Sequence, residues 1–411
     1  MTEYQYLIIG GGIAGGKACQ GIREVDPEGS IGLITAEDHP PYQRPPLSKG
    51  YLTDQVDLDK VYLKSVKEYR EMGVELHLGK TAVRIEPDEK LVFLDDGEEI
   101  GYQKLLLATG ARANRLPLWG NELENVFTLR YIEDARRIRE AAGVNKRALV
   151  LGGSFIGAEA AASLTQIGTQ VVMAFPENRL LKHVVPPELG RRLEASFAGK
   201  KVRVLPGTVA ETLEGERVVR RAVLDNLERL DVDLVVMGTG VRLNTDLARQ
   251  AGIDLLQDGS AVVDQHLQTN QPDIYAAGDI TSWPDPGSDR MLHMEHWDVA
   301  RRQGLTAGRN LAGEEEIYQA VPYFFSDLFD FSFEVWGELS GWEDTALRGS
   351  LDEGSFAYYY FRDQRLTGIL AVDRPEEERE IMEKLAAARP AQRELEGKIE
   401  EEGFDLKQLI D

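Results

Sequence analysis

Apolar residues fall in short unbroken runs that end on glycine. Tyr6–Ile9 is one such run, and Gly10-Gly11-Gly12-Ile13-Ala14-Gly15 follows it. Four consecutive apolar residues before a glycine turn fit a strand covered on both faces of a sheet. A helix of small residues is predicted from Gly16-Lys17-Ala18 onward. Residues Ala148–Leu151 repeat the run, followed by Gly152-Gly153-Ser154-Phe155-Ile156-Gly157 and an alanine-rich helix over Ala158–Leu164. Each unit returns to a strand, Ser30–Thr35 and Thr169–Ala174, and each return strand leads to a carboxylate, Glu37 and Glu177. The chain therefore carries a strand–helix–strand unit twice. Three further apolar runs close on glycine: Leu105–Leu107 before Ala108-Thr109-Gly110, Leu234–Met237 before Gly238-Thr239-Gly240, and Ile274–Ala277 before Gly278-Asp279.

The texture changes elsewhere. Pro40–Lys49 holds four prolines and excludes regular structure. From Val321 the pattern alternates aromatic and polar residues and includes Tyr358-Tyr359-Tyr360-Phe361, which predicts an antiparallel sheet in a separate C-terminal domain. Glu376–Arg389 reads as a charged helix stopped by Pro390, and the last twenty residues as a loosely held helix.

Composition narrows the function. The 411 residues leave room for two or three domains, and 42% apolar with 28% charged residues is a globular balance. A net charge of −23 repels nucleic acid and anionic membranes, so neither is expected as a partner. The single cysteine, Cys19, excludes a disulfide framework, a Cys-x-x-Cys pair and a thiolate zinc site, and it reads as a small buried apolar residue. His293 and His296 are three apart, but no other ligand type clusters with them, so no metal is expected. The acidic runs near Glu314 and Glu376 read as solvated faces. No basic leader precedes the first strand, and no apolar run nears the ~20 residues of a membrane helix. A cytoplasmic location is the expectation.

The glycine turns carry the chemistry. Gly10 permits the tight turn, Gly12 lets backbone approach a pyrophosphate, and Gly15 lets helix and strand pack closely; the helix N-terminus offers N–H groups to phosphate. Glu37 lies 22 residues beyond Gly15 and Glu177 lies 20 beyond Gly157, both placed to accept hydrogen bonds from an adenosine ribose. Two complete units predict two bound dinucleotides. Ser154 stands where the second unit's middle glycine belongs; either its hydroxyl faces a phosphate or the turn is wider and binds less tightly. Glu177 favours NADH, because a carboxylate repels a 2′-phosphate. Arg179, two residues on, leaves NADPH as the less favoured alternative.

The order of these motifs resembles the two-dinucleotide flavoprotein reductases. It runs from the first fingerprint through Pro41-Tyr42-Gln43-Arg44-Pro45-Pro46-Leu47-Ser48-Lys49, Ala108-Thr109-Gly110 and the second fingerprint to Ala276-Ala277-Gly278-Asp279 and Glu295-His296-Trp297-Asp298. Within that group it resembles the ferredoxin reductases of oxygenase systems, apoptosis-inducing factor and monodehydroascorbate reductase, over residues 1 to roughly 345. Phe175-Pro176-Glu177 and Pro322–Asp327 resemble the latter two branches. The resemblance implies FAD on the first unit and NADH on the second. It puts Glu37 on the FAD ribose, Arg44 near adenine and pyrophosphate, and Asp279 at the ribityl and phosphate region. Gly10, Gly12, Ile13, Ala14, Gly15, Val83, Ala108, Thr109, Gly110, Gly240 and Gly278 join the cofactor contacts. So do Gly152, Gly153, Ser154, Ile156 and Gly157. Lys49 is implied beside the flavin N5, paired with Glu159; a cation there stabilises the anionic reduced flavin. Phe155 is implied to cover the nicotinamide pocket, a core phenylalanine being its other reading. Glu295, His296 and Trp297 open a helix toward the flavin O2, and Phe325 lines its outer face. The loop carrying Lys49 has no cysteine, which removes disulfide-reductase chemistry.

The expected architecture is α/β: two Rossmann-like dinucleotide-binding domains with three-layer, mostly parallel sheets, plus a C-terminal α+β domain. FAD belongs to residues 1–113 and 243–320, NADH to 114–242, and 321–411 form the interface domain. The expected activity is hydride transfer from NADH to flavin N5, then electron delivery to an iron–sulfur protein such as ferredoxin. Arg301, Arg302 and Arg44 are candidates to dock it. A small acceptor, quinone or ascorbate-type radical, is one alternative; an NADH-sensing interaction protein is another. The expected state is a monomer or homodimer.

Overall fold

The first apolar run forms the inner half of a longer strand, Thr2–Ile9, in the computed structural model, which describes residues 2–410. The chain divides into two units. One takes in residues 1–45, 57–112 and 241–320; the other takes in 46–56, 113–240 and 321–411.

In the first unit a seven-stranded sheet runs in the order Val74–Leu78, Ile31–Thr35, Thr2–Ile9, Glu99–Leu107, Leu91–Leu94, Ala82–Glu86, with Ile274–Ala276 also on Glu99–Leu107. The strands around Thr2–Ile9 are parallel, with Ile8 opposite Leu33 and Leu106; the two strands over 82–94 are antiparallel. Leu7, Ile8, Leu33, Leu105 and Leu106 are fully buried, as the unbroken apolar runs require. The first helix spans Ile13–Val25, three residues earlier than the small-residue pattern indicated, because the end of the glycine fingerprint is itself the first turn. This helix crosses Trp297–Leu311 backbone to backbone: a Cβ on Gly304 would stand 2.2 Å from the Ala14 carbonyl oxygen.

The second unit holds a five-stranded parallel sheet in the order Arg203–Pro206, Gln170–Phe175, Arg147–Leu151, Leu234–Met237, Val126–Thr128. Its helix Phe155–Gln166 buries Ala158 and Ala160–Ala162. Residues 210–231 add a three-stranded antiparallel sheet. The C-terminal sheet is antiparallel as the alternation predicts, ordered Tyr323–Leu328, Phe331–Gly337, Arg365–Val372, Ser355–Arg362, Asp344–Ser350. Tyr359, Phe361 and Ile369 pack with Ile381, Met382 and Leu385 of the helix Glu376–Ala388, which ends on Arg389 in the left-handed region (φ 48°). Helix Pro187–Gly199 meets the C-terminal sheet through an edge-on Phe197–Phe329 pair (4.8 Å) and the Lys200–Asp330 ion pair (3.0 Å).

The tail after Pro390 departs from expectation: it is neither loose nor one helix. Short turns at Gln392–Leu395 and Leu406–Leu409 bury Leu395, Ile399 and Leu406 in the C-terminal core. The side chain of Arg348, 2% exposed, donates to the carbonyl oxygens of Ile399, Glu401, Glu402 and Phe404 and to Glu378. Sparse apolar residues hid this order, because backbone carbonyls rather than side chains are what Arg348 grips. Among the described residues no helix is long and apolar enough to cross a membrane.

Candidate functional site

The first fingerprint is built as a phosphate cradle. Gly10 takes φ +127°, and a Cβ there would stand 2.0 Å from the Ala108 carbonyl oxygen; one on Gly15 would stand 2.0 Å from that of Gly10. A Cβ on Gly12 meets nothing within 4 Å, so bare backbone faces open space at the start of the helix, which has no side-chain cap. That is the surface a pyrophosphate needs. Ile13 and Ala14 form the first helical turn. Glu37 follows the second strand, where Tyr42 Oη donates to its Oε2 (2.6 Å) and Arg44 to its Oε1 (3.3 Å); Arg44 also donates to Tyr42 Oη (2.8 Å). Tyr42 is a member of this cluster that the motif contained but whose role its spacing did not disclose. Glu37 keeps acceptor capacity for a ribose, since a carboxylate has about four lone-pair sites.

Around this cradle, the Thr109 hydroxyl donates to the Asn244 carbonyl (2.7 Å), while Gly110 and Gly278 have positive φ. Gly278 N–H donates to buried Gln303 (2.8 Å). Val83 sits on the strand Ala82–Glu86 with 45% of its surface exposed. His296 occupies the N-cap of Trp297–Leu311, with Glu295 exposed before it. Burial pushes the His296 imidazole down to about 4, against a smaller opposing pull from Asp279, so the ring is neutral near pH 7. Among the described residues Trp297 Nε1 is buried with no hydrogen-bond partner, a donor left for a ligand. These features fit a flavin dinucleotide.

The second fingerprint repeats the geometry. Gly152 takes φ +123°, and a Cβ on Gly157 would stand 2.2 Å from the Gly152 carbonyl oxygen. Gly153 lies against the Phe175 ring, and Gly240 has φ +80°. Ser154 caps the helix position but donates its hydroxyl to the Gly238 carbonyl (3.1 Å). The hydroxyl proton is engaged by that carbonyl in this structure. Ile156 is exposed. Glu177 stands just past the strand Gln170–Phe175, half-buried, and Arg179 donates to the Lys182 carbonyl (3.0 Å). The set fits a nicotinamide dinucleotide.

In the same unit, a charge cluster gathers the predicted catalytic residues. Glu159 is 5% exposed. Lys49 Nζ donates to its Oε1 (2.6 Å), Ser48 Oγ to its Oε2 (2.5 Å), and Ser326 Oγ to its Oε1 (2.6 Å). Ser163 donates to the Ser48 carbonyl (2.6 Å) and fixes the turn Pro45–Ser48. Lys49 lies over the Phe325 ring at 5.1 Å. Phe155 meets Phe324 edge-on at 5.2 Å and Phe333 at 6.3 Å. The Lys49–Glu159 pair was legible from the motifs; Ser48 and Ser326 as partners of Glu159 were not.

Other candidates resolve differently. Arg301 and Arg302 both donate to Asp298 (2.8 and 2.6 Å), and Arg44 is held by Glu37, so each proposed docking cation already has a carboxylate partner. His293 Nδ1 lies 3.0 Å from Asp258 and its Nε2 2.9 Å from the Asp279 carbonyl. Among the described residues no group of three or more His, Cys, Asp or Glu side chains is arranged for a metal. Cys19 is fully buried, and burial pushes its thiol up to about 12, so it stays an unreactive thiol.

Comparison with known proteins agrees with this geometry. The pyridine nucleotide-disulphide oxidoreductase signature spans residues 4–304, and a reductase C-terminal signature spans 323–410. The chain is 32% identical to the 3-phenylpropionate/cinnamic acid dioxygenase ferredoxin–NAD(+) reductase component of Photorhabdus laumondii, covering 95% of this chain and 98% of that protein. It is 32% identical to monodehydroascorbate reductase 3 of Arabidopsis thaliana, covering 98% and 97%. The crystal structure of the ferredoxin reductase for the CYP199A2 system from Rhodopseudomonas palustris superposes with a TM-score of 0.91 at 29% identity, covering 99% of this chain and 100% of that one. With the family signature over residues 4–304 and 32% identity to a ferredoxin–NAD(+) reductase along nearly the whole length, the chain belongs to the pyridine nucleotide-disulphide oxidoreductase family, resembling its ferredoxin-reductase members.

Proposed function

We propose that this protein is an NADH-dependent FAD reductase that passes electrons to a small iron–sulfur protein of the ferredoxin type. The observation that carries the reading is the part-buried Lys49–Glu159 pair, in the unit that also holds the second fingerprint. FAD, which the first fingerprint, Glu37 and Arg44 would hold, would supply a hydride acceptor for NADH and release of the electron pair in single steps. The chain's own residues bind and orient. Gly10, Gly12 and Gly15 admit one pyrophosphate, while Gly152 and Gly157 admit the other. Glu37 and Glu177 accept ribose hydroxyls. Lys49, its ammonium held by Glu159, would supply the cation that stabilises the reduced flavin, and Phe155 would shield the nicotinamide position. Trp297 Nε1 and the N-terminal amides of its helix would supply donors for the flavin O2. The single cysteine forms no redox pair within the chain, so the Lys49–Glu159 pair does not serve paired-cysteine disulfide reduction.

The ferredoxin-type acceptor is supported by the names of the Photorhabdus and Rhodopseudomonas relatives. A small-molecule acceptor is the second reading, favoured by the equal identity to the Arabidopsis monodehydroascorbate reductase. Reoxidation of the NADH-reduced protein by ferredoxin, by a quinone and by monodehydroascorbate separates the two. At least tenfold faster reoxidation by ferredoxin is expected; a faster reaction with either small acceptor overturns the first reading.

Glu177 sets the coenzyme. A charge-assisted hydrogen bond is worth about 1.5–3 kcal/mol, which is roughly 10- to 150-fold in affinity. Glu177→Arg is expected to weaken NADH about 100-fold and to improve NADPH. Stopped-flow titration with both coenzymes checks this, and an unchanged preference puts the ribose contact on another residue.

A further inference from the structure

Three successive residues of the C-terminal domain's first strand each touch a different member of the predicted catalytic trio. Phe324 meets the Phe155 ring, Phe325 lies under Lys49, and Ser326 donates to Glu159. The third contact is the tightest. Ser326 is 1% exposed, and its hydroxyl shares Oε1 of Glu159 with Lys49 Nζ, each at 2.6 Å. Ser48, 3% exposed, takes the other oxygen. The carboxylate is thus gripped by donors from two segments far apart in sequence, the turn Pro45–Ser48 and the strand Tyr323–Leu328. With both oxygens held, it has one orientation, and the ammonium it carries has one position.

We propose that Ser326 is a positioning residue for the reductive half-reaction: its hydroxyl fixes the Glu159 carboxylate and so places the Lys49 ammonium. The role rests on the reading of the chain as an NADH-dependent flavin reductase. Ser326 touches neither cofactor in this scheme and acts through Glu159 alone. A mispositioned cation weakens an electrostatic contribution that depends on fixed geometry, while the binding of either dinucleotide is untouched.

The test is anaerobic stopped-flow reduction of the FAD-loaded protein over a range of NADH concentrations. The limiting rate is compared for wild type, Ser326→Ala, Ser326→Thr, Glu159→Gln and the double variant. Ser332→Ala is the control, because the exposed Ser332 hydroxyl donates to Asp327 in the neighbouring strand (2.8 Å). Ser326→Ala is expected to lower the limiting rate about tenfold with the NADH dissociation constant and FAD content unchanged, and Ser326→Thr to recover most of it. In the Glu159→Gln background, Ser326→Ala is expected to add nothing. A wild-type limiting rate in Ser326→Ala overturns the proposal, and so does a loss that adds fully to that of Glu159→Gln. A loss seen only as weaker NADH binding or lower FAD content makes the role structural and overturns it as well. A wild-type flavin that NADH does not reduce contradicts the reductase reading itself, and the positioning role falls with it.

Discussion

Replacing Lys49 with alanine is expected to lower the limiting rate of flavin reduction by NADH about 100-fold while leaving FAD bound. Removing one preorganised charge from a site of developing negative charge typically costs 100- to 1,000-fold in rate. Lys49 is such a charge: its side chain is 18% exposed, and its Nζ stands 2.6 Å from Glu159. The fold survives the change because Glu159 keeps the Ser48 and Ser326 hydroxyls as donors. The carboxylate keeps hydrogen-bond donors but loses the ammonium's charge, so some fall in melting temperature accompanies the change. The loss of rate should exceed what that fall explains, and it is read on the folded, FAD-loaded fraction. Lys49→Arg keeps the charge but not the compact point geometry of an ammonium, and it is expected to restore only part of the rate. A Lys49→Ala protein reduced at the wild-type rate would remove Lys49 from the neighbourhood of the flavin N5.

The second large effect is structural. Arg348→Met is expected to destabilise the C-terminal domain by about 3–5 kcal/mol, the range seen when one member of a buried ionic network is removed. Methionine keeps much of the volume but donates nothing, so the carbonyls of Glu401, Glu402 and Phe404 lose the guanidinium that now satisfies them. Glu378 is cushioned by Arg374, which donates to it at 2.9 Å. The damage accordingly falls on the tail, and residues beyond Pro390 should become the first site of limited proteolysis. Urea unfolding and protease mapping check both parts. A variant as stable as wild type, with an equally protected tail, would show that the apolar contacts of Leu395, Ile399 and Leu406 hold the segment without Arg348.

These two residues also mark how far the sequence could be read. The glycine fingerprints were legible because each needs particular residues at fixed offsets: Gly157 has no room for a Cβ beside the Gly152 carbonyl, and no other residue type satisfies that. The alternating texture after Val321 likewise predicted an antiparallel sheet, since a period of two has one structural meaning. Lys49 and Glu159 are 110 residues apart, and only the motif order joined them. Ser326 was invisible because a lone serine on a strand carries no pattern; its significance comes from the strand pairing that brings it to Glu159. Arg348 was invisible for a related reason. It binds backbone carbonyls, which every residue has, so nothing in the tail's side chains announces the contact. Ser154 shows another limit: its spacing could not disclose the Gly238 carbonyl that its hydroxyl meets across the fold.

The most direct test of the account is the absorbance of the purified protein, mixed without oxygen with one equivalent of NADH. The account predicts a yellow protein carrying one non-covalent FAD, whose flavin band bleaches on adding NADH and returns when ferredoxin is supplied. A colourless protein that takes up no FAD, or a bound flavin that NADH leaves oxidised, would contradict it.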